Sequence, residues 1–305
     1  MFGVAYSPDG SKIASALYKR RGSSEGASII IWDRQSRAAL HRLKAHTGRS
    51  RCVAFAPDGA VIATGGDDHT IRLWDTHAGR EVQRQTDVND VYSVTFSPDG
   101  KLRASTNGQA IRWWRIPSLQ EYKADSIHLS SDVFTLHMSR HAPMMACGGR
   151  GPTVSILDPT KRRITTSLAI AGSGLSDLAL SSDAGTMVVR QLNGPAEAWD
   201  IPGRHLLASL TDQGGLAVAM SADDRWVAVE YYDGAIGIWE TLTWAGVRTL
   251  KHDQGYIHSF AFSPNSKELA SGGARGTIIL WQTRHRNRAI ETRNCAIACK
   301  SSSSR

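Results

Sequence analysis

Ala45 to Asp75 reads AHTGRSRCVAFAPDGAVIATGGDDHTIRLWD, and the order of its parts decides the fold. The apolar run Val53-Ala54-Phe55 leads into the turn Ala56-Pro57-Asp58-Gly59 and a second apolar run, Val61-Ile62-Ala63. Proline presets φ at the first central position of a turn, and Asp and Gly suit the positions after it. Apolar run, Pro-Asp-Gly turn, apolar run is the signature of a β-hairpin. A third strand, Thr70-Ile71-Arg72-Leu73-Trp74, and a more polar fourth, Arg80-Glu81-Val82-Gln83-Arg84, complete a unit of four short antiparallel strands.

The unit recurs along the whole chain. Strand ends equivalent to Arg72-Leu73-Trp74-Asp75 are Ile30-Ile31-Trp32-Asp33, Arg112-Trp113-Trp114-Arg115, Ser155-Ile156-Leu157-Asp158, Ala198-Trp199-Asp200, Gly237-Ile238-Trp239-Glu240 and Ile279-Leu280-Trp281-Gln282. From Trp32 to Trp281 the successive spacings are 42, 40, 43, 42, 40 and 42 residues. The turn recurs in strong form as Ser7-Pro8-Asp9-Gly10, Ser97-Pro98-Asp99-Gly100 and Ser263-Pro264-Asn265-Ser266. Worn copies are Ser139-Arg140-His141-Ala142, Ser181-Ser182-Asp183-Ala184 and Ser221-Ala222-Asp223-Asp224. A period of roughly 40–45 residues is that of a four-stranded propeller blade. The expected fold is therefore all-β, a seven-bladed β-propeller with four antiparallel strands per blade.

Ala45-His46-Thr47-Gly48, the Pro57 turn and Gly65-Gly66-Asp67-Asp68 through Trp74-Asp75 together resemble one nearly complete WD40 repeat. The resemblance covers residues 1–293 and is to the WD40 (WD-repeat) β-propeller family, with turns of the bacterial SPDG type. It implies a rigid ring that presents loops to protein or peptide partners. It also implies a structural hydrogen-bond network of a His between blades, an Asp six residues before the Trp, a Ser or Thr nearby, and the Trp. The set His46, Asp68 and Trp74 meets this in blade two, although Gly66 stands at the expected hydroxyl position. Elsewhere the Asp position holds Gly26, Gly108, Gly151, Asn193, Asp233 and Arg275.

Composition narrows the function. No stretch of 18 apolar residues exists, so no transmembrane helix is expected. The start has no basic segment ahead of an apolar one, unlike a signal peptide. Cys52 and Cys147 lie in apolar strand runs, and Cys295 and Cys299 match neither a haem nor a zinc spacing. No disulfide framework is expected, and a reducing, cytoplasmic setting fits. Of the net charge of +8, +5 comes from residues 284–305, where six Lys and Arg face Glu291. The propeller is expected over residues 1–293, followed by a basic, Ser-rich disordered tail over 294–305.

Two departures from a regular ring stand out. Pro8 and Pro57 are 49 residues apart against 41 for Pro57 and Pro98, which places a basic insertion around Lys19, Arg20 and Arg21. Met1 begins inside the first strand of blade one, so no preceding segment completes blade seven. The candidate for that outer strand is Arg288-Ala289-Ile290-Glu291-Thr292. The seam between blades one and seven is then expected to rest on side-chain packing alone and to be the weakest in the ring. Otherwise the chain is a fragment, or the C-terminal regulatory domain, of a longer protein, and this is the favoured reading.

The repeat register places Arg49, Arg51, Tyr92, Phe134, Arg150, Tyr232, Tyr256 and His258 at the top rim. Aromatics and Arg are enriched at the centres of interfaces. These eight are the candidate partner-binding residues. The expected function is a non-enzymatic protein-interaction scaffold for a protein or peptide partner. No catalytic, cofactor or metal site is expected, because no motif places a nucleophile and the His residues lack ligand spacing. A nucleic-acid-binding propeller using the basic loop and tail ranks second. A propeller enzyme with a central-channel site ranks last.

Overall fold

The computed structural model describes residues 3–17, 27–116, 126–172, 174–253 and 255–283, with the backbone of three further strands, His285–Arg286, Ala289–Ile290 and Cys295–Ala298. Every helix or strand assigned among these residues is a β-strand. In blade two, Ser50–Phe55, Val61–Gly66, Thr70–Asp75 and Arg80–Thr86 pair antiparallel in chain order. Ile71 and Leu73 pack toward Val94, Phe96 and Trp114 of blade three, while Ile62 and Trp74 pack toward Ile29 and Ile31 of blade one. Covered on both sides, the third strand is buried from Thr70 to Trp74, Arg72 included. The fourth strand lies at the outer edge and alternates exposed with half-buried residues, so it reads polar.

Five sheets of four strands and one of seven build the ring. In the seven-stranded sheet, Ile127–Met138 serves first as the outer strand of blade three and then, past a register shift between Val133 and Thr135, as the inner strand of blade four. Counted this way the sheets hold seven four-stranded units, which fits the spacing of the sequence repeats. Seven hydrophobic clusters each join one pair of neighbouring blades, including blade seven to blade one. The core is thus a ring of interfaces rather than a single centre.

Two expectations about the seam are corrected. The outer strand of blade seven is Cys295–Ala298, paired with Thr277–Gln282, and not the segment from Arg288 to Thr292. Ala289–Ile290 pairs instead with His285–Arg286. Cys-Ala-Ile-Ala carries no charge into the ladder, whereas the earlier segment brings Arg288 and Glu291. The propeller sheet therefore extends past residue 293, the boundary expected for the tail.

Packing alone does not hold the seam. The Val4 amide donates to Ser259 Oγ at 3.1 Å. Tyr6 Oη donates to Glu268 Oε2 at 2.7 Å, and Arg34 Nε donates to the same oxygen at 2.9 Å. Gln282 Nε2 donates to Glu268 Oε1 at 2.6 Å. Burial, with the Glu268 carboxylate beside it, pushes the Tyr6 phenol far above its ordinary range, so it stays a donor.

Five of the hairpin turns between first and second strands share one construction, which blade two, with Ala56 in place of the Ser, cannot make. The Ser hydroxyl donates to the Asp or Asn two residues on, as Ser7 to Asp9 at 2.5 Å, Ser221 to Asp223 at 2.6 Å and Ser263 to Asn265 at 2.8 Å. The same hydroxyl accepts the amide five residues on, from Lys12, Trp226 and Glu268. The fourth turn residue is left-handed, with φ of 71° at Gly10 and Gly59 and 70° at Gly100. The worn copies keep this geometry with Ala184 at 59° and Asp224 at 56°, as does Ser266 of the blade seven turn at 56°. A residue with a Cβ costs roughly 1–2 kcal/mol in that region. Blade four departs: its Ser139 amide still reaches the carbonyl five residues on, at Met144, but its hydroxyl donates to the Ser182 carbonyl of blade five at 2.7 Å.

Candidate functional site

The first strand of each blade starts at the upper rim and runs down the wall of a central channel of about 980 Å³. The hairpin turns, with Pro8, Pro57, Pro98 and Pro264, ring its lower mouth. The upper rim of blades two to four gathers five of the eight candidate residues. Arg51 donates to Asp67 through Nε and to Asp90 Oδ2 through Nη2 at 3.1 Å. Its guanidinium lies 4.4 Å from the centroid of the Tyr92 ring. Tyr92 in turn packs on Phe134, with centroids 5.0 Å apart and planes at 52°. Arg49 stands 3.7 Å from Asp67, and Arg150 lies 3.8 Å from Asp132 with 76% of its side chain exposed.

The other three lie on another arc of the rim. Tyr232 and Tyr256 form an edge-on pair with centroids 6.1 Å apart, and they are 65% and 47% exposed. His258 lines the channel wall, where burial pushes its imidazole down to about 4. The Lys19-Arg20-Arg21 loop and residues 299–305 lie outside the described residues.

Sequence reasoning missed His69, Asn89 and Gln109. With Asp90, Tyr92 and Phe134 they line a depression of about 330 Å³ beside the channel mouth. Their signal was adjacency, since Asn89 precedes Asp90 and Gln109 follows the turn at Asn107 and Gly108. His69 occupies a left-handed turn position with φ of 59°.

Blade two carries a continuous chain of hydrogen bonds. Trp74 Nε1 donates to Thr64 Oγ1 at 3.0 Å, and Thr64 Oγ1 lies 2.9 Å from His46 Nε2. His46 Nδ1 is 2.7 Å from Asp68 Oδ1. An imidazole protonated at Nδ1 satisfies every link, donating to Asp68 and accepting from Thr64. Asp68 also accepts from Thr47 N and from Arg72 Nη2, the latter at 2.7 Å. Burial raises the Asp68 carboxyl, but these hydrogen bonds outweigh it and hold the group well below the carboxylate range. The missing hydroxyl is a correction to the sequence reading. Thr64 supplies it from the second strand, ten residues before the Trp, and Gly66 is not its place. Ser105 and Ser271 serve Trp114 and Trp281 in the same way, at 2.7 and 2.9 Å.

A family model described as the IFT122 first β-propeller matches residues 1–282. The chain belongs to the WD40 β-propeller family. Human transducin beta-like protein 2 is 26% identical over 257 residues, which cover 79% of this chain and 50% of that protein. The periodic tryptophan protein 2 homolog of Dictyostelium discoideum is 23% identical over 288 residues, covering 85% of this chain and 31% of its own. Rat apoptotic protease-activating factor 1 is 33% identical over 141 residues, covering 40% of this chain and 11% of its own. The chain thus spans half or less of the length of these curated relatives. Propellers of the family act in general as protein-interaction scaffolds.

This WD40 propeller replaces the His–Asp tie elsewhere with other buried polar groups. In blade three Asp87 takes the place of His46, and Asn107 Nδ2 donates to it at 2.8 Å. Arg190 of blade five donates to the carbonyls of Gln213 at 2.6 Å and Glu230 at 2.8 Å. Glu230 of blade six accepts the amides of Leu216 at 2.6 Å and Ile257 at 2.9 Å. Asp177 reaches three blades, accepting from Leu178 N at 2.9 Å, Val218 N at 3.1 Å and Thr135 Oγ1 at 3.3 Å. Burial pushes the Asp177 carboxyl up to about 7.

Burial also pushes the Cys52 and Cys147 thiols up to about 12, so neither is a thiolate nucleophile at neutral pH. Among the described residues no three His, Cys, Asp or Glu side chains converge as metal ligands would. The chemistry that the upper rim offers is recognition: stacked aromatic faces, a fixed guanidinium, and carboxylates and amides at the edge of a channel.

Proposed function

We propose that the chain is a non-enzymatic interaction module that docks a protein or peptide partner on its upper rim, with Arg51, Tyr92 and Phe134 as the anchor. One observation carries this reading. Arg51 over Tyr92 at 4.4 Å and Tyr92 on Phe134 at 5.0 Å form a stacked row at the channel mouth, built on the first strands of three blades. Side chains of these types dominate binding energy, and here two carboxylates hold the row before any partner arrives. Tyr232 and Tyr256 offer a second contact on the opposite arc.

The propeller acts in the cytoplasm as one module of a longer protein. The relatives support the modular part of this reading, because matched segments take up 11% to 50% of their lengths. The genomic reading frame around the coding sequence tests it directly.

The test of docking is cross-linking and affinity capture from cells with the wild type, the variant Tyr92→Ala/Phe134→Ala, and a control changed at the exposed outer-strand residue Val82. The double variant is expected to lose the captured partner while the control keeps it. Equal capture by all three, with folding verified by circular dichroism, would refute rim docking.

A further inference from the structure

We propose that the depression beside the Tyr92–Phe134 row receives a cationic side chain, Arg in preference to Lys, from the docked partner. This rests on the rim-docking reading above and adds the chemistry of the group that is recognised.

Of the side chains lining the depression, two are carboxylates, Asp90 and Asp132, one is the imidazole of His69, and none is Lys or Arg. The neighbouring cations leave acceptor capacity. Arg51 occupies Asp90 Oδ2, while His69 Nε2 stands 3.9 Å from Asp90 Oδ1, beyond hydrogen-bond reach. Arg150 approaches Asp132 no closer than 3.8 Å and is mostly in water. Among the described residues, no hydrogen bond to Asp90 Oδ1 or to the Asp132 carboxylate is formed. Hydrogen bonds from a cation to a carboxylate are the strong class.

The walls point the same way. One neighbour of the Tyr92 ring is Arg51 and another is Phe134, so the cluster already stacks a guanidinium on an aromatic face. A second cation entering between Asp90 and Asp132 meets the Phe134 ring, where cation–π attraction applies. The amides of Asn89, Asn107 and Gln109 make the floor polar, which disfavours a purely apolar occupant. An anion would face both carboxylates, and Arg51 is already shared by Asp67 and Asp90. A planar guanidinium can bridge a carboxylate and lie on a ring together, which an ammonium cannot.

The probes are short fluorescein-labelled Gly/Ser peptides with a central Arg, Lys, citrulline, Glu or Leu, titrated by fluorescence anisotropy against the purified chain. Citrulline keeps the shape of arginine without its charge. The Arg peptide is expected to bind at least about tenfold more tightly than the citrulline and Glu peptides. Asp132→Asn and Asp90→Asn should each weaken it by about tenfold, and Asp90→Glu should retain most of it. Asp132→Asn leaves the Arg51 contacts untouched, so it reads the depression alone. Equal binding of Arg and citrulline peptides, or preference for Glu or Leu, overturns the inference. If binding depends on Tyr92 and Phe134 but not on peptide charge, rim docking stands and the cationic pocket falls. If no peptide binds in a way that depends on the rim, both fall. Displacement of the Arg peptide from the rim by a single-stranded oligonucleotide in stoichiometric amounts also overturns it, in favour of an anionic partner.

Discussion

The lower rim closes its seams by two different chemistries on two halves of the ring. From blade seven through blade three the contact is proline against glycine. A Cβ at Gly10 would lie 3.5 Å from Pro264 Cδ, one at Gly59 3.4 Å from Pro8, and one at Gly100 3.6 Å from Pro57. From blade four to blade seven the contact is hydrogen bonding. Ser139 Oγ donates to the Ser182 carbonyl at 2.7 Å, the Ser182 amide donates to Asp224 Oδ1 at 2.8 Å, and the Asp223 amide donates to Ser266 Oγ at 3.0 Å. The second turn residue of one blade meets the fourth turn residue of the next in the proline half, and again at Ser182 and Asp224. Proline has no amide hydrogen, so it asks nothing polar of its neighbour, and glycine suffices. Where Ser182 stands in place of the proline, an amide is freed and Asp224 of the next blade accepts it; where Ala222 stands there, the next blade instead takes the amide of the following residue, Asp223, on Ser266. Blade seven belongs to both halves, taking the Asp223 amide on Ser266 and giving Pro264 to Gly10. The turns of blades five and six are therefore matched to each other at Ser182 and Asp224, not decayed copies.

The largest effect is expected at the junction of blades seven and one, where the proline half gains a buried polar tie. Glu268→Ala leaves the Tyr6 hydroxyl without its acceptor and strips Arg34 and Gln282 of theirs. Arg34 can regain water, so the loss is about 2–3 kcal/mol, short of that for a fully buried pair. Urea denaturation should show it as a fall in midpoint at unchanged slope. A change under about 0.5 kcal/mol, the range of ordinary surface substitutions, would mean that packing alone holds the seam.

The comparison of the two halves is sharpened by converting one into the other. Ser182→Pro removes the amide that serves Asp224, and Asp224→Gly removes the acceptor. Each alone should cost about 1 kcal/mol. The double variant should lose markedly less than the sum, with a coupling of about 1 kcal/mol, because proline and glycine form a matched pair. Strict additivity in a double-mutant cycle would break the matching rule.

A smaller, pH-dependent effect separates the channel-facing groups of the polar half. The Asp177 carboxyl is pushed by burial from 3.8 to about 7, so between those values the folded chain holds a proton that the unfolded chain has lost. Its contribution is present at low pH and fades as pH rises through that window. His137 and His258 are pushed by burial from 6.5 down to about 4, and they act in the opposite sense. Their stabilising contribution is full above 6.5 and is lost as pH falls toward 4. The two effects oppose each other below 6.5, and Asp177 acts alone just above it. Asp177→Asn should remove a fall in stability on the order of 1 kcal/mol across neutral pH, measured as the difference in thermal midpoint from wild type. Parallel profiles for the two proteins would place the titration elsewhere.

Much of the site was legible in the sequence because the repeat register fixes which residue reaches which rim. Arg51, Tyr92 and Phe134 stand at equivalent places in blades two, three and four, and they do meet. Their carboxylate partners were visible as turn residues, but the pairing of Arg51 with both Asp67 and Asp90 crosses from one blade to the next. His69 was not legible, since nothing in its turn distinguishes a residue facing the depression from one facing water. Thr64 was missed because the hydroxyl was sought two residues later, at Gly66 where the second strand ends, whereas it rises from Thr64 within that strand.

The sequence by itself determined the unit. Pro-Asp-Gly turns, apolar runs and Trp endings at a fixed period are local signals, and each hairpin and strand follows from residues close in the chain. Tertiary structure alone decided what passes between units. The partner of Glu268 is Tyr6, 262 positions away, and the outer strand of blade seven is Cys295–Ala298 rather than a nearer segment. Such pairings depend on ring closure, which brings together two ends that no local rule relates, and on which neighbour leaves a donor or acceptor in need of a partner.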